Sequence, residues 1–224
     1  CSVGVAPVKF LAKISSEMRK PDGLFMLRPE EVPGFMAGLD VGRIPGVERP
    51  ALASLLPTEK EPVVLLDVGA TVDCKPYNIF QFGLMGDAFA RDILNKESPR
   101  VGLLSIGEEE GKGNSQVKEA YELFKMAQNL NFSGNIEGRD LFTGEMDVAV
   151  CDGFVGNVAL KLSEGLGLSL SRVLKRELLN SGFLPKLGSL LAKSAFRRFA
   201  KVVDYAEYGG APLLGLQNIS IVCH

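Results

Sequence analysis

From Glu61 onward the chain alternates short apolar runs with longer stretches of helical period. That alternation constrains the fold more than any other feature. Pro62–Val68 (PVVLLDV), Val101–Ile106 (VGLLSI), Asn131–Glu137 and Asp147–Cys151 read as strands. Pro76–Leu94, Ser115–Leu130 and Val158–Leu179 carry helical periodicity, and Asn218–Cys223 (NISIVC) reads as a last strand. Asn114 or Ser115 suits the cap of the second helix. This rhythm predicts βαβ units: an α/β fold with a mostly parallel sheet and helices on both faces. Residues 1–60 read as irregular; Pro and Gly recur there, and only Val8–Met18 looks helical. One α/β domain is expected over residues 1–224, without internal repeats.

Composition removes several function classes. A length of 224 residues suffices for a sizeable core, and a net charge of −2 argues against a nucleic-acid partner. No apolar run reaches bilayer length, and no signal-peptide pattern opens the chain. The cysteines at 1, 74, 151 and 223 form no CxxC pair, which fits a reducing cytosol better than a zinc or redox site. His224 is the single histidine, so a multi-histidine metal site is excluded and a Ser-His-Asp triad is disfavoured. No GxGxxG follows a strand. Neither a metal nor a cofactor is expected.

In parallel sheets, ligands bind beyond the carboxyl ends of the strands. Four loops fall at such ends: Asp67–Asp73, Gly107–Asn114, Asn135–Arg139 and Asp152–Asn157. They are expected to converge on one crevice. Asp147–Leu160 (DVAVCDGFVGNVAL) reads as a strand, a tight turn and a helix start. Such a junction aims backbone N–H groups and a helix dipole at an anion. Asn157 as a plain helix cap, with Gly153 and Gly156 only making the turn, fits the same residues. The loop around Lys112 is not a P-loop: three residues separate Gly107 from Gly111, and Gly113 follows the lysine. Lys112 between Gly111 and Gly113 still supplies a mobile positive charge suited to phosphate, and equally fits a solvated turn. Asp67 and Asp73 flank Gly69, and either could cap the next helix.

Residues 171–203 carry eight basic residues and one acid, a net +7 against −9 for the remainder. On a helical wheel from Lys186 to Lys201, Lys186, Lys193, Arg197 and Lys201 gather on one side. Leu187, Leu191, Ala195 and Phe199 gather on another, while Leu190 and Arg198 blur the division. Gly182 and Pro185 mark a turn, so 171–203 is expected to form a protruding basic amphipathic helical hairpin. A solvated helix pair, a membrane-surface element and a docking patch for an acidic protein all fit it.

Taken in order, these motifs resemble the bacterial phosphate acyltransferase family PlsX. The matching text is Gly42–Leu52 (GRIPGVERPAL), LLDVGATVDC, QFGLMGDAFA, VGLLSIGEEEGKGN, FSGNIEGRDLFTGEMDVAVCDGFVGNVALKLSEG and Tyr208–Leu214 (YGGAPLL). The resemblance implies an isocitrate/isopropylmalate dehydrogenase-like or phosphotransacetylase-like architecture and transfer of a fatty acyl group from acyl-carrier protein to inorganic phosphate. It also implies a homodimer, peripheral attachment to an anionic membrane surface through the hairpin, and a cytoplasmic location. The family's opening strand and its Ser-Ala-Gly-Asn-Thr-Gly-Ala loop are not visible; Met26–Met36 (MLRPEEVPGFM) stands at the corresponding place. The family chain also continues past His224. One wall of the crevice is therefore expected to be missing from this sequence.

On that resemblance, Lys112, Asp152 and Asn157 are the expected catalytic residues. Lys112 and backbone N–H groups near Gly156 and Asn157 would hold phosphate or the oxyanion. Asp152 would orient Lys112 or a phosphate hydroxyl. Gly111, Gly113, Asn114, Gly153, Gly156, Asn135, Asp67 and Asp73 are expected to line the substrate site. Leu187, Leu190, Leu191, Lys193, Phe196 and Arg197 are expected to meet membrane or carrier. Two other classes remain open: a phosphotransacetylase acting on CoA thioesters, and a non-catalytic scaffold binding carrier protein or membrane.

Overall fold

The computed structural model describes residues 3–5, 24–26, 47–180, 182–203, 211–216 and 220–222. The expected helix Val8–Met18 lies outside them. The strands are β1 (Val3–Val5), β2 (Leu24–Met26), β3 (Ala51–Leu56), β4 (Val63–Leu66), β5 (Arg100–Leu104), β6 (Asn131–Ile136), β7 (Val148–Val150), β8 (Ala211–Leu214) and β9 (Ser220–Val222). The helices are α1 (Pro76–Asp92), α2 (Ser115–Met126), α3 (Gly153–Asn180), α4 (Phe183–Leu191) and α5 (Lys193–Val203). A short 3-10 turn covers Gly138–Phe142.

β1 and β2 pair in parallel with each other, and the other seven strands form one sheet in the order β6-β5-β7-β4-β3-β8-β9. The pairs β6/β5, β5/β7 and β7/β4 are parallel. The pairs β4/β3, β3/β8 and β8/β9 are antiparallel. The sheet is thus mixed, which corrects the expectation of a mostly parallel one. The expected βαβ rhythm accounts for the parallel half. The antiparallel half is built from β3 and from the strands after the helical region. β3 also corrects the irregular reading of residues 1–60: Pro50 and Pro57 bracket Ala51–Leu56, and backbone pairing to β4 and β8 makes it a strand.

Successive strand residues point to opposite faces, and the core divides accordingly. On one face Val64, Leu66, Val101, Leu103, Val148 and Val150 pack with Phe82 and Met85 of α1 and Phe124 of α2. On the other, Val63, Leu65, Ala149 and Cys151 pack with Leu160 of α3. Helices therefore cover both faces. Each fully buried side chain of this size contributes about 1.5–3 kcal/mol. Gly83 lets the Phe124 ring lie directly on α1, where a Cβ would collide with it. Phe124 also stacks on Phe132 of β6 at 4.9 Å between centroids. These contacts seat α1 and α2 on the parallel strands whose carboxyl ends carry the loops of interest.

Candidate active site at the carboxyl ends of the parallel strands

The register puts four strand ends side by side. Leu66 of β4 faces Val150 of β7, Leu103 of β5 also faces Val150, and Leu104 faces Ile136 of β6. Asp67, Cys151, Ser105 and Glu137 follow directly, so the four loops leave one edge of the sheet together.

Asp67 is fully buried. Its Oδ1 accepts N–H bonds from Leu52 at 2.7 Å, Gly69 at 3.1 Å and Ala70 at 3.0 Å, and its Oδ2 accepts one from Thr71 at 2.6 Å. The carboxylate braces its own loop and the entry to β3. It presents no oxygen to the crevice, which corrects its expected substrate contact. Asp73 is exposed, and neither aspartate caps α1. That helix starts after Lys75, whose N–H is taken by Asn78 Oδ1 at 2.8 Å.

The Asp152–Asn157 segment is helical from Gly153 onward, five residues earlier than the periodicity suggested. Asp152 caps it: Oδ1 accepts the N–H groups of Phe154 and Val155, each at 2.9 Å. Gly153 N–H bonds Thr71 O at 2.9 Å, and Gly156 N–H bonds Asp152 O at 3.0 Å. These amides are occupied, and a carboxylate sits at the dipole's positive end. The expected backbone anion seat near Gly156 is therefore not formed. Gly153 and Gly156 are close-approach residues: a Cβ on Gly156 would run into the carbonyl of Asp67, and one on Gly153 would lie 2.7 Å from Asp67 Oδ2. Asn157 is no cap. It is exposed and lies against Gly69, where a Cβ would meet its Cγ at 3.6 Å. Its amide is free to face a ligand.

The second cluster lies across Gly107–Asn114. Lys112 is half-exposed and ion-pairs with Glu109 at 4.0 Å, so Asp152 is not its orienting acid. Glu108 pairs with Arg139 at 3.2 Å, and Glu110 pairs with Lys125. Asn135 is buried, and its Nδ2 donates to Glu109 O at 2.9 Å. Asn114 caps α2, accepting the N–H of Val117 at 2.9 Å, so its side-chain oxygen is committed to the helix. Gly113 adopts φ +100°, a conformation that favours glycine, with Ser105 Oγ close beside it. Gly111 stands in open space.

The two clusters meet where Gln116 Nε2 donates to Cys74 O at 2.5 Å. The contacts of Gln116, Thr71 and the Pro50–Leu52 backbone are not encoded in local sequence, because they are set by partners distant along the chain. Thr71 Oγ1 donates to Pro50 O at 2.9 Å. The motif GRIPGVERPAL ending at Leu52 was the one signal that this segment belongs here. Burial pushes the Cys74 thiol up to about 11 and raises Cys151 as well, against the grain for a thiolate nucleophile. Among the described residues no cluster of His, Cys, Asp and Glu could hold a metal.

The expected hairpin residues lie elsewhere. Leu187, Leu190 and Leu191 on α4 and Lys193, Phe196 and Arg197 on α5 are all exposed. Gly182 is the N-cap of α4, Pro185 lies within that helix rather than in a turn, and the expected continuous helix from Lys186 to Lys201 is broken at Ala192. Among the described residues no helix is long and apolar enough to cross a membrane.

The fold and this edge define an α/β protein with polar, lysine-bearing loops gathered at the carboxyl ends of parallel strands. A family model described as fatty acid synthesis protein matches residues 35–224. The chain is 81% identical over 184 residues to a phosphate acyltransferase of Nitratidesulfovibrio vulgaris strain DP4, covering 82% of this chain and 53% of that one. It is 74% identical, with the same coverage, to a phosphate acyltransferase of Lawsonia intracellularis. The chain belongs to this fatty acid synthesis family, the phosphate acyltransferase family PlsX. It spans about half the length of these curated relatives. Among solved structures, a phosphotransacetylase from Streptococcus pyogenes superposes with a TM-score of 0.45 at 17% identity, over 64% of this chain and 50% of that one. EutD phosphotransacetylase from Staphylococcus aureus gives 0.44 at 16%, over 55% and 44%.

Proposed function

We propose that this chain carries the crevice of an acyltransferase that moves a fatty acyl group from acyl-carrier protein to inorganic phosphate. The observation carrying the reading is the high identity to relatives named phosphate acyltransferase. The site geometry supports it through two side chains: half-exposed Lys112 in one cluster and free Asn157 in the other. In the reaction a phosphate oxygen attacks the thioester carbonyl carbon, an O–C bond forms, and the C–S bond breaks as the carrier's thiolate leaves. Phosphate is already anionic near neutral pH. Positioning and charge neutralisation therefore matter more than a strong base. Lys112 neutralises phosphate, and the Asn157 amide donates to the oxyanion that develops on the carbonyl. With the helix amides occupied by Asp152 and Thr71, the side chains carry this stabilisation.

The same reading includes a homodimer and a peripheral membrane contact, within one α/β domain of phosphotransacetylase-like architecture. Leu162, Leu166 and Leu170 on α3 are exposed, which supports a partner on that helix. The exposed Leu187, Leu190 and Leu191 of α4 and the exposed Lys193, Arg197 and Arg198 of α5 support a contact with anionic lipid. The test of the site is acyl-phosphate formation by the full-length protein. Lys112→Ala and Asn157→Ala are each expected to lower kcat/KM at least tenfold, about 1.4 kcal/mol of transition-state stabilisation. Wild-type values in both variants would remove these residues from the mechanism.

A further inference from the structure

Asn135 sits at the carboxyl end of β6 and is 5% exposed. Its Nδ2 donates to Glu109 O at 2.9 Å, and the Lys112 N–H donates to that same carbonyl at 3.0 Å. One oxygen therefore closes the turn 109–112 and ties it to the sheet. The acceptor fixes the orientation of the amide, because Oδ1 in that place would oppose oxygen to oxygen. Oδ1 is consequently buried without a hydrogen-bond partner. A half-satisfied buried amide costs stability that a leucine with the same branched skeleton would not. The ion pairs Glu108–Arg139, Glu109–Lys112 and Glu110–Lys125 also restrain this loop, but all are exposed, and such pairs hold weakly. The Asn135 bond is the buried restraint.

We propose that Asn135 is a positioning residue that acts through the Glu109 carbonyl to fix the backbone of Lys112 for phosphate, and does not itself touch the anion. This rests on the assignment of Lys112 to phosphate made above. The experiment is titration calorimetry of the full-length protein with inorganic phosphate, combined with thermal melting. It compares wild type, Asn135→Leu, Lys112→Ala and the double variant. Leucine creates no orphan at Glu109, whose carbonyl keeps the Lys112 N–H. Asn135→Leu is expected to melt at or above the wild-type temperature and to weaken phosphate binding about tenfold or more. In the Lys112→Ala background it is expected to add less than twofold, since coupled residues are not additive. Unchanged phosphate affinity in Asn135→Leu would overturn the proposal. So would equal weakening in both backgrounds, or a Lys112→Ala variant that binds phosphate like wild type. Asn135→Ala reads the same affinity if the leucine variant does not fold. Phosphate binding that depends on Asn135 without acyl-phosphate formation would refute the acyl-transfer reading and leave the positioning role standing.

Discussion

The buried carboxylates of this chain differ by what they touch. Asp67 and Asp152 hold backbone N–H groups and so shape the crevice from behind. Asp147, at the opposite end of the strands, holds cations: Arg100 Nε at 2.9 Å and Lys96 Nζ at 3.1 Å, with the Arg100 N–H at 2.8 Å. Burial alone would raise its pKa, but the Arg100 and Lys96 bonds outweigh burial and hold it below the usual carboxylate value. A folded-state pKa below the unfolded one gives stability that is present above the unfolded value and lost as pH falls through the folded one. Asp147→Asn is expected to cost about 1–3 kcal/mol at neutral pH, as expected for losing a charged hydrogen-bond partner. The loss should shrink below about pH 4, near the ordinary aspartate value. Urea midpoints measured across pH check this, and parallel wild-type and variant profiles would contradict it. The glycine-rich settings of Lys112 and Asn157 made them candidates from the sequence. The role of Asp67 was not legible there, because it depends on Leu52 being brought back beside it by β3.

At the scale of elements, the strands and helices of the parallel half were legible because their periodicity is strong and their turns carry polar residues. β3 was not, since Ala and Ser within Ala51–Leu56 are weak strand formers and pairing decides the outcome. The start of α3 was misplaced because Gly153 and Gly156 look like turn residues. In the structure they let the helix pass against Asp67, while Asp152 closes its first turn. α4 and α5 show the limit of a helical wheel: the charge and apolar pattern is there, but the break at Ala192 divides it between two helices. Their exposed leucines give a test at this scale. Leu187→Glu with Leu191→Glu is expected to abolish flotation of the full-length protein with anionic vesicles. Undiminished binding would assign the surface to another partner.

For the whole molecule, two charge populations stand out: +7 over residues 171–203 and −9 over the rest. The acidic part contains the crevice, where Glu108, Glu109 and Glu110 are each paired with a cation. Among the described residues of the basic part, Arg172, Lys175, Arg176, Lys193, Arg197 and Arg198 are exposed, as are Leu187, Leu190 and Leu191. On the proposed reading, such a basic, apolar surface suits an acidic carrier presented near a membrane better than a soluble small donor. The α/β class was legible from the alternation of strands and helices and the family from motif order, while the antiparallel half of the sheet was not. The arrangement of the candidate anion site was not legible either, because the capping of α3 is a matter of hydrogen bonds that motif spacing does not encode. The central claim is acyl transfer from carrier protein to phosphate. Its most direct test is the rate at which the full-length protein forms acyl phosphate from inorganic phosphate with acyl-carrier protein or acyl-CoA as donor. A higher kcat/KM with the carrier-bound donor is predicted, falling at least tenfold in Lys112→Ala. Preference for the CoA thioester, or no acyl phosphate from either donor, would contradict it.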